Sequence, residues 1–407
     1  MKKKKFSRRN FLQTAGSVFT ATTLMSPISV FSHNGKPTLK PESKNTPKVR
    51  WTATKEELNF RYDFVKGMET TTLYKATPDS GMFSHHQYIT QFKGVLIAAW
   101  DNHIRDENGS GQRSLFRIST DKGDSWDSIE ELFPPLDKEV TATEAYIGSR
   151  TQKLNGFVTV DGVIYALSDV ADWAGPSISD RYSVPQGLLC RSVDADGTLG
   201  DIFIAGEEPY RPVDGFPSYP AGKSEIVKKI QKILQSPAHQ LQLSFDHVYP
   251  YSDDNHRLGE PTAPWELSDG TLVKLYRDNG IKDPKNARVR EASKSRRNYA
   301  SFSYDEGKTW TTPVRTGFPD CCARTNTGVL PGGQVYVINN VLPLSTKYGG
   351  RTLLAISLSD NGLVFDRVAM IRFNPPPKRD HEGRAKSFGY QYPHSVVFEN
   401  NLWVLYS

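Results

Sequence analysis

The sequence predicts an all-β chain that folds as a β-propeller of four-stranded blades, seven in number or alternatively six, with one short inserted helix. Two observations support this class. Runs of β-forming residues, each preceded by a tight turn, recur along the chain, and an eight-residue turn motif is written twice in full. Repetition of a short β unit at such intervals is typical of propellers. The length of 407 residues also suits one large β architecture.

The recurring runs share a Gly or Asn turn followed by alternating Val, Ile, Leu, Tyr and Trp residues. They read Gly94-VLIAAWDN, Gly162-VIYALSDV, Gly270-TLVKLYRD, Gly333-QVYVINN and Asn401-LWVLYS. The interval between the second and third runs is the longest, and the stretch GTLGDIFIAGE at 197–207 is the candidate for a further, degenerate unit. We expect residues 50–70 to close the ring by pairing with the last run, unless the chain given is clipped there.

The turn motif reads STDKGDSW at Ser119–Trp126 and SYDEGKTW at Ser303–Trp310. We expect each copy to join the outer two strands of a blade. Its Asp would accept backbone N–H groups, and its Gly would take a positive φ. A weaker third copy at Leu358–Phe365 keeps Asp360 at the corresponding offset. These residues are structural and are not site candidates.

Two segments interrupt the β pattern. Residues 222–236 (GKSEIVKKIQKILQS) place isoleucines and a leucine on one helical face and lysines elsewhere, which predicts a short amphipathic helix. Residues 282–297 (KDPKNARVREASKSRR) are locally basic. They indicate a solvated loop or, alternatively, a lip that contacts an anionic polymer.

The net charge of +6 comes from the beginning of the chain. Lys2–Lys5, Arg8 and Arg9 precede a mildly apolar stretch, and this order resembles a twin-arginine export signal; a basic disordered tail is the alternative. We therefore assign 1–48 to a signal peptide and linker and 49–407 to a single catalytic propeller domain. The expected location is periplasmic or secreted, with no membrane span and no nucleic-acid partner.

Cysteine and histidine usage gives no clear metal motif. Three cysteines exclude a disulfide scaffold. His247, His256, Cys321 and Cys322 are residue types that bind zinc, but their spacing is not diagnostic. We predict no required cofactor; a structural zinc or calcium is left open as an alternative and is not predicted.

Polar residues concentrate where strands are expected to end. The segments Ser84–Gln87 and Trp100–His103 fall on neighbouring strands, and a polar stretch follows at Asp106–Arg113. Strand ends surround the central funnel of a propeller, so two histidines from these segments can meet there. Histidine acts as a general base near neutral pH. The alternative is that the pair only satisfies loop hydrogen bonds.

Four stretches, including SHHQYITQFKGVLIAAWDNHIRDENGSGQR, GEPTAPWELSDGTLVKLYRD and GYQYPHSVVFENNLWVLYS, resemble the sialidase-like propellers that include the ulvan lyases. In those lyases the active site holds two histidines, a tyrosine and an arginine. The resemblance therefore implies the catalytic residues His86, His103, Tyr165 and Arg181. The implied substrate-binding residues are His85, Asn102, Gln112, Arg277, Arg324 and His394.

The activity implied by the resemblance is β-elimination on a uronic acid of a sulfated, ulvan-type polysaccharide, carried out by a monomer. Arg181 would pair with the C5 carboxylate, and either His86 or Tyr165 would remove the C5 proton while the other protonates the departing O4. His103 would orient the substrate or share the proton transfer. A sialidase is the rival enzyme, because Arg277 and Arg324 resemble two arginines of its triad; its Arg-Ile-Pro phrase, however, is missing upstream of Ser119. A non-catalytic carbohydrate-binding propeller is the third alternative.

Overall fold

The chain forms antiparallel sheets arranged as the blades of a propeller. The computed structural model describes residues 47–52, 62–136, 150–174, 182–205, 218–219, 224–236, 250–281, 297–341, 351–373 and 389–407. A two-residue strand, β1 (Arg50–Trp51), precedes the first blade. The expected signal peptide lies outside the described residues.

Blade 1 and blade 2 follow each other along the chain, and each is a meander in which consecutive strands pair. The strands of blade 1 are β2 (Phe83–Phe92), β3 (Val95–His103), β4 (Arg113–Ser119) and β5 (Glu130–Phe133). The strands of blade 2 are β6 (Arg150–Val160), β7 (Val163–Ala174), β8 (Tyr182–Val193) and β9 (Phe203–Ala205), with β10 (Ser218–Tyr219) pairing in parallel at the edge.

The predicted helix follows blade 2. It is α1 (Glu225–Leu234), and its buried residues Val227 and Ile230 join an apolar cluster with residues of blade 2. The helix contacts the inner strand β6. Among the described residues no helix combines the length and apolar character needed to cross a membrane.

Blade 3 and blade 4 repeat the meander. Blade 3 comprises β11 (His256–Gly259), β12 (Trp265–Glu266), β13 (Leu272–Ile281), β14 (Arg297–Ser303) and β15 (Val314–Pro319), with β11 and β12 both pairing with β13 as an interrupted inner strand. Blade 4 comprises β16 (Asn326–Val329), β17 (Val335–Asn340), β18 (Leu354–Ser359) and β20 (Arg367–Arg372), and β19 (Val364–Phe365) lies before its last strand. A terminal hairpin consists of β21 (His394–Phe398) and β22 (Asn401–Leu405).

The first strand of each unit is the innermost one. Strand β2 contacts β6 on one side and β21 on the other, and β16 lies between β21 and β12. The apolar cores lie between adjacent sheets: one joins blades 1 and 2, and another joins blades 3 and 4. This arrangement brings the beginnings of the inner strands together around one axis.

The five recurring runs of the sequence are the second strands of the five units, namely β3, β7, β13, β17 and β22. The predicted propeller of four-stranded blades with one short helix is therefore confirmed. The stretch at 197–207 is not a further blade, because Phe203–Ala205 is the outer strand of blade 2. The described residues hold four blades and one hairpin, whereas seven or six blades were expected. In the long interval after β9 the described residues form β10 and α1.

The two full turn motifs have the same internal hydrogen bonds. Each lies between the third and fourth strands of its blade, as expected. Asp121 Oδ1 accepts the Ser125 N–H at 2.8 Å, and Asp305 Oδ1 accepts the Thr309 N–H at 2.8 Å. Gly123 takes a φ of 91°.

The third turn differs from its expected alignment by one position. Asn361 Oδ1 accepts the N–H groups of Leu363 and Val364, both at 2.9 Å. Asp360 instead faces Arg367 at 2.7 Å. An amide oxygen accepts these bonds as a carboxylate does, so the acceptor position shifts from Asp360 to Asn361.

The N-terminal segment joins blade 4. Arg50 and Trp51 pair in parallel with Val364 and Phe365, and the Trp51 indole donates to Ser357 Oγ at 3.1 Å. The expectation that residues 50–70 pair with the last run is therefore wrong for the described part of this segment.

Candidate active site

A group of charged and aromatic side chains meets where the inner strands begin. We call it the Tyr392 cluster. Its members are His86, Glu107, Lys153, Glu260, Arg277, Arg324, Arg351 and Tyr392. They come from all four blades and from the residues that lead into β21. The cluster therefore lies at the propeller axis.

Three arginines surround Tyr392. Arg277 Nη1 donates to the Tyr392 hydroxyl at 2.7 Å, and the guanidinium carbons of Arg324 and Arg351 lie 5.3 and 5.5 Å from the centre of its ring. Glu260 Oε2 lies 2.9 Å from Arg277 Nη1 and 3.9 Å from Arg324 Nε. One carboxylate faces several guanidinium groups, so the cluster carries excess positive charge and is suited to an anion.

Arg324 is the most deeply buried of these arginines, with 3% of its surface exposed. Its Nη1 donates to the Tyr88 hydroxyl at 2.8 Å. Its Nε and Nη2 make no hydrogen bond with any described residue. A buried guanidinium that lacks acceptors for its N–H groups is costly unless a ligand provides them. Arg324 is therefore the strongest candidate for binding an anionic substrate group.

His86 lies beside Tyr392 on the blade 1 side. The centres of the two rings are 5.4 Å apart, and the His85 ring packs between Tyr392, at 4.0 Å, and His86, at 4.7 Å. His86 Nε2 lies 2.8 Å from Glu107 Oε1, in a geometry that is not that of a hydrogen bond, and the same oxygen lies 2.9 Å from Lys153 Nζ. The imidazole of His86 and the phenol of Tyr392 are thus close enough for a single sugar ring to contact both.

Several of these residues have unusual backbone geometry. His86, Glu260 and Tyr392 take φ values of 50°, 45° and 52°, in the left-handed region that residues with a side chain rarely adopt. Such conformations cost about 1–3 kcal/mol each and concentrate at functional sites. The cluster therefore contains strained backbone at three separate places: at an irregularity within β2, directly after β11 and shortly before β21.

Burial and neighbouring charges keep the side chains of His86 and Tyr392 uncharged at neutral pH. Burial, followed by Lys153 and then His85, holds the pKa of His86 well below its usual value. Burial raises the pKa of Tyr392, against the lowering influence of Arg277. At neutral pH the cluster thus presents a neutral imidazole, which accepts a proton, and a neutral phenol, which donates one.

His103 and Gln112 hold a loop in place. His103 Nδ1 accepts the Asp106 N–H at 3.0 Å, and its Nε2 lies 2.9 Å from the Ser110 carbonyl, so Nε2 carries the proton. Gln112 Oε1 accepts the Asn108 N–H at 2.7 Å. Both side chains are buried. The structure places these two candidates beside the cluster, with their polar atoms bonded to the protein.

The other candidates on blade 1 and the last hairpin also bond within the protein. His85 Nδ1 lies 2.9 Å from Ser407 Oγ. His394 Nδ1 accepts the Ile89 N–H at 3.3 Å, and its ring packs on Tyr88 at 4.7 Å. Burial, followed by Arg324, lowers the pKa of His394 to about 3. His85 thus packs against the ring of Tyr392. His394 packs against Tyr88, which accepts a hydrogen bond from Arg324.

Asn102 lies next to a pocket that is separate from the cluster. Its Nδ2 donates to the Tyr74 hydroxyl at 2.8 Å, and its Oδ1 accepts from Arg113 Nε at 3.0 Å. A shallow pocket of about 540 Å³ lies here, bordered by Ser80, Asn102, His103, Ile104, Arg113 and Leu136. The reactive groups do not line it, so we place the candidate active site at the cluster.

Tyr165 is not brought to the cluster. It pairs with Val158 near the β6–β7 turn, whereas Lys153 of the cluster pairs with Asp169, four residues farther along β7. At a rise of about 3.3 Å per residue, Tyr165 lies about 13 Å along β7 from Asp169, the residue that pairs with Lys153. Its ring packs near Phe203, 6.3 Å away. Arg181 lies outside the described residues.

His256 and Cys322, two of the residues considered for metal binding, contact neighbouring residues of β13. His256 Nδ1 lies 2.8 Å from Asp278 Oδ1, and Cys322 Sγ contacts Asn279 Oδ1 at 3.5 Å. The three cysteines are free and buried. Within the described ranges no group of three or more His, Cys, Asp or Glu residues is arranged to hold a metal ion. His247 lies outside these ranges.

Sequence reasoning missed Tyr392, Glu260, Glu107, Lys153 and Arg351. Glu260 and Tyr392 stand inside the segments GEPTAPWELSDG and GYQYPHSVVFENN, which carry the family resemblance. Position relative to the inner strands was the available signal, since Glu260 directly follows β11 and Tyr392 precedes β21 by two positions. Lys153 sits inside β6 and gives no local signal.

Taken together, fold and site define a propeller that gathers arginines and a histidine–tyrosine pair at its axis. Residues 244–404 match the model of the BNR repeat-like domain. A solved structure of a sialidase is similar in fold, with 22% sequence identity, a TM-score of 0.57, and coverage of 80% of this chain and 29% of that one. The first finding indicates similarity to BNR repeats over residues 244–404, and the second supports a propeller fold like that of the sialidase.

Two further solved structures are more distant. The sialidase of Trypanosoma rangeli in complex with sialic acid shows 14% identity and a TM-score of 0.48, over 85% of this chain and 57% of that one. The leech intramolecular trans-sialidase shows 11% identity and a TM-score of 0.49, over 84% and 67%. The chain thus spans less than two thirds of the first two structures. No curated protein sequence matches the chain.

Proposed function

We propose that this chain is a glycan-acting enzyme that binds an acidic sugar at the Tyr392 cluster. The observation that carries the proposal is the set of three arginines around one tyrosine, with a neutral histidine beside it. Guanidinium groups bind carboxylates with paired, charge-assisted hydrogen bonds. The unsatisfied N–H groups of Arg324 support a carboxylate at this point.

The reaction we propose is β-elimination on a uronic acid. Arg324 and Arg277 pair with the C5 carboxylate, which stabilises the charge that develops when the C5 proton leaves. His86 takes this proton. The C4–O4 bond then breaks, a double bond forms between C4 and C5, and Tyr392 donates its proton to the departing O4 oxygen. In this scheme Tyr392 takes the role that the family resemblance gave to Tyr165.

The protonation states support this division of roles. A base must be neutral before the reaction and an acid must carry its proton, and the lowered pKa of His86 and raised pKa of Tyr392 meet these two conditions at neutral pH. Each group contributes about 10²–10⁴-fold when it is well placed. The arginines stabilise the carboxylate without a change in protonation, because guanidinium remains charged.

Retaining hydrolysis is the second candidate, and a specific contact favours it. Arg277 bridges the Tyr392 hydroxyl and Glu260 Oε2, at 2.7 and 2.9 Å. A tyrosine beside a carboxylate can act as a nucleophile, and Arg351 supplies a third arginine that the sequence had not indicated. In this alternative Tyr392 must lose its proton, which its raised pKa disfavours.

The biological setting is part of the same proposal. We infer an exported protein, delivered by a twin-arginine signal to the periplasm or medium, that acts as a monomer and without a cofactor. Its substrate is an anionic, sulfated, ulvan-type polysaccharide.

Two parallel incubations of the purified chain test the proposal. With ulvan, we expect near-ultraviolet absorbance from the new conjugated double bond and shortened chains. With a sialoside, we expect no released sialic acid. Released sialic acid without that absorbance would instead establish the hydrolase. Binding of ulvan without any product would leave a carbohydrate-binding propeller and overturn the enzyme assignment.

A further inference from the structure

Glu107 joins the candidate base to a neighbouring blade. Its Oε1 lies 2.8 Å from His86 Nε2 and 2.9 Å from Lys153 Nζ. Glu107 belongs to the loop after β3 of blade 1, whereas Lys153 lies on the inner strand β6 of blade 2. The side chains of His86, Glu107 and Lys153 are 3%, 19% and 12% exposed. The Coulomb attraction within an ion pair this deep is stronger than that within a surface pair.

We infer that the Glu107–Lys153 ion pair is a positioning device for His86, which orients its ring and sets the pH range in which the imidazole is uncharged. The catalytic consequence rests on the proposed function. The effect on His86 itself does not, because it follows from the contacts of the folded protein alone. Glu107 and Lys153 are thus positioning residues, since they act on the reaction through His86.

The loop that carries Glu107 is fixed on both sides of this residue. Asp106 donates its N–H to His103, and Asn108 donates its N–H to Gln112. The side-chain amide of Gln112 also donates to the carbonyl of Gln152, the residue before Lys153. The carboxylate and the ammonium therefore belong to backbone segments that are hydrogen-bonded to each other. This gives His103 and Gln112 a role that requires no contact with substrate.

The two charges have opposite effects on the imidazole. A carboxylate beside a histidine favours its protonated form, whereas an ammonium disfavours it. The charged and titratable groups that influence or contact His86 are Glu107, Lys153, His85, Arg277, Arg324 and Tyr392. Lys153 is the largest charge effect that lowers the pKa of His86, after burial. Without Lys153, the Glu107 carboxylate would face the ring uncompensated.

The Glu107 carboxylate also stabilises the charged form of Lys153. Burial lowers the pKa of Lys153, but the adjacent Glu107 carboxylate, together with Tyr392 and Glu260, outweighs burial, and the pKa is raised. Lys153 therefore remains charged through the neutral range. His86 Nδ1 has no hydrogen-bond partner among the described residues, so this nitrogen is available to take a proton while Nε2 faces Glu107.

The test is a titration of the His86 ring by NMR in the full chain with isotope-labelled histidine, with the signal assigned by its loss in His86→Gln. In Lys153→Met we expect the midpoint of the His86 titration to rise by about one to three pH units. In Lys153→Arg, which keeps the charge, we expect it to stay close to that of the wild type. In Glu107→Gln we expect the midpoint to fall or the ring to remain neutral throughout.

The matched control is Lys229→Met, which breaks a second lysine–carboxylate pair, with Asp161, on the surface of the protein. We expect this variant to leave the His86 titration unchanged. Folding of each variant is checked by circular dichroism. If Lys153→Met loses its fold, Glu107→Gln and Lys153→Arg still provide the comparison. A folded Lys153→Met or Glu107→Gln with a wild-type His86 midpoint would overturn the inference.

Activity gives a separate readout. If the chain cleaves ulvan, the acidic limb of kcat/KM should move to higher pH in Lys153→Met, by the same amount as the NMR midpoint. If no glycan is cleaved but the midpoint shifts as expected, the positioning role stands and the proposed function fails. If cleavage occurs and the midpoint does not shift, the reverse conclusion holds.

Discussion

The hydroxyl oxygen of Tyr392 lies 2.7 Å from Nη1 of Arg277, although the two residues are 115 positions apart in the chain. Arg277 comes from the second strand of blade 3, and Tyr392 precedes the terminal hairpin. The contact therefore exists only when blade 3 and the hairpin stand at the same axis. It ties the candidate proton donor to the arginine that we propose binds the substrate anion.

Tyr392→Phe should abolish turnover while leaving the fold intact. The substitution removes only the hydroxyl, so the ring contacts with His85 and His86 remain. Loss of a placed acid lowers kcat by about 10²–10⁴-fold. The measurement is the initial rate of double-bond formation on ulvan. Tyr165→Phe is the matched control, with kcat expected within about twofold of the wild type because the structure separates this residue from the cluster. A Tyr392→Phe variant with near wild-type kcat would remove Tyr392 from the mechanism.

The blades could be read from the sequence because their signals are local. The turn around Asp121 and the one around Asp305 each complete their hydrogen bonds within eight residues, so the motif alone specifies them. A turn followed by an alternating run likewise identified the second strand of every described unit. Such features depend on neighbours in the chain, which a sequence displays directly.

The candidate site could be predicted only in part because its contacts run between blades. Arg324 was found through resemblance, and His86 through an unusual pair of adjacent histidines. Lys153 stands in a strand where a lone lysine normally indicates a solvent-facing position. Only the packing of blade 2 against blade 1 turns it toward Glu107. Tyr165 is implied by the family resemblance, and resemblance in sequence does not reveal at which end of its strand the residue lies.

Arg324→Met should weaken binding of the acidic sugar and also slow the chemistry, because in the proposed reaction Arg324 pairs with the carboxylate both before and during proton removal. Its N–H groups are the strongest candidates for the carboxylate, and charge-assisted hydrogen bonds contribute about 1.5–3 kcal/mol each. We therefore expect KM to rise by about 10–100-fold. The check is the KM for ulvan, together with its ratio to that for carboxyl-reduced ulvan. Arg367→Met, at an exposed arginine that pairs with Asp360, serves as the control. Equal discrimination by Arg324→Met and the wild type would refute the role of Arg324.

Asp101→Ala should destabilise the contact between blades 1 and 2. The buried carboxyl group accepts the Leu154 N–H at 3.0 Å and the Ser114 hydroxyl at 2.9 Å. Its removal leaves a buried backbone N–H without an acceptor, which costs about 1–3 kcal/mol. The measurement is the free energy of unfolding in urea. Asp124→Ala, at an exposed position in the first turn motif, should change this free energy by less than about 0.5 kcal/mol. Equal unfolding free energies of the two variants would show that the Asp101 hydrogen bonds do not stabilise the fold.

His394→Gln should change how folding stability depends on pH. The pKa of His394 is about 3 in the folded protein, below its ordinary value of 6.5, because the ring is buried near Arg324. Between these two pH values the unfolded chain binds the proton and the folded chain does not. Stability is therefore lost as pH falls, by about 1.4 kcal/mol per pH unit.

Asp101 acts in the opposite direction. Burial raises the pKa of its carboxyl group to about 8, so its contribution to stability is lost as pH rises from about 4 to 8. A pH profile of the wild type alone would combine both effects. The informative quantity is the difference in unfolding free energy between wild type and His394→Gln, measured in urea at several pH values between about 4 and 6. We expect the wild type to lose stability relative to His394→Gln as the pH falls. Parallel profiles for the two proteins would mean that His394 is protonated in the folded state, and that Arg324 does not face a neutral ring.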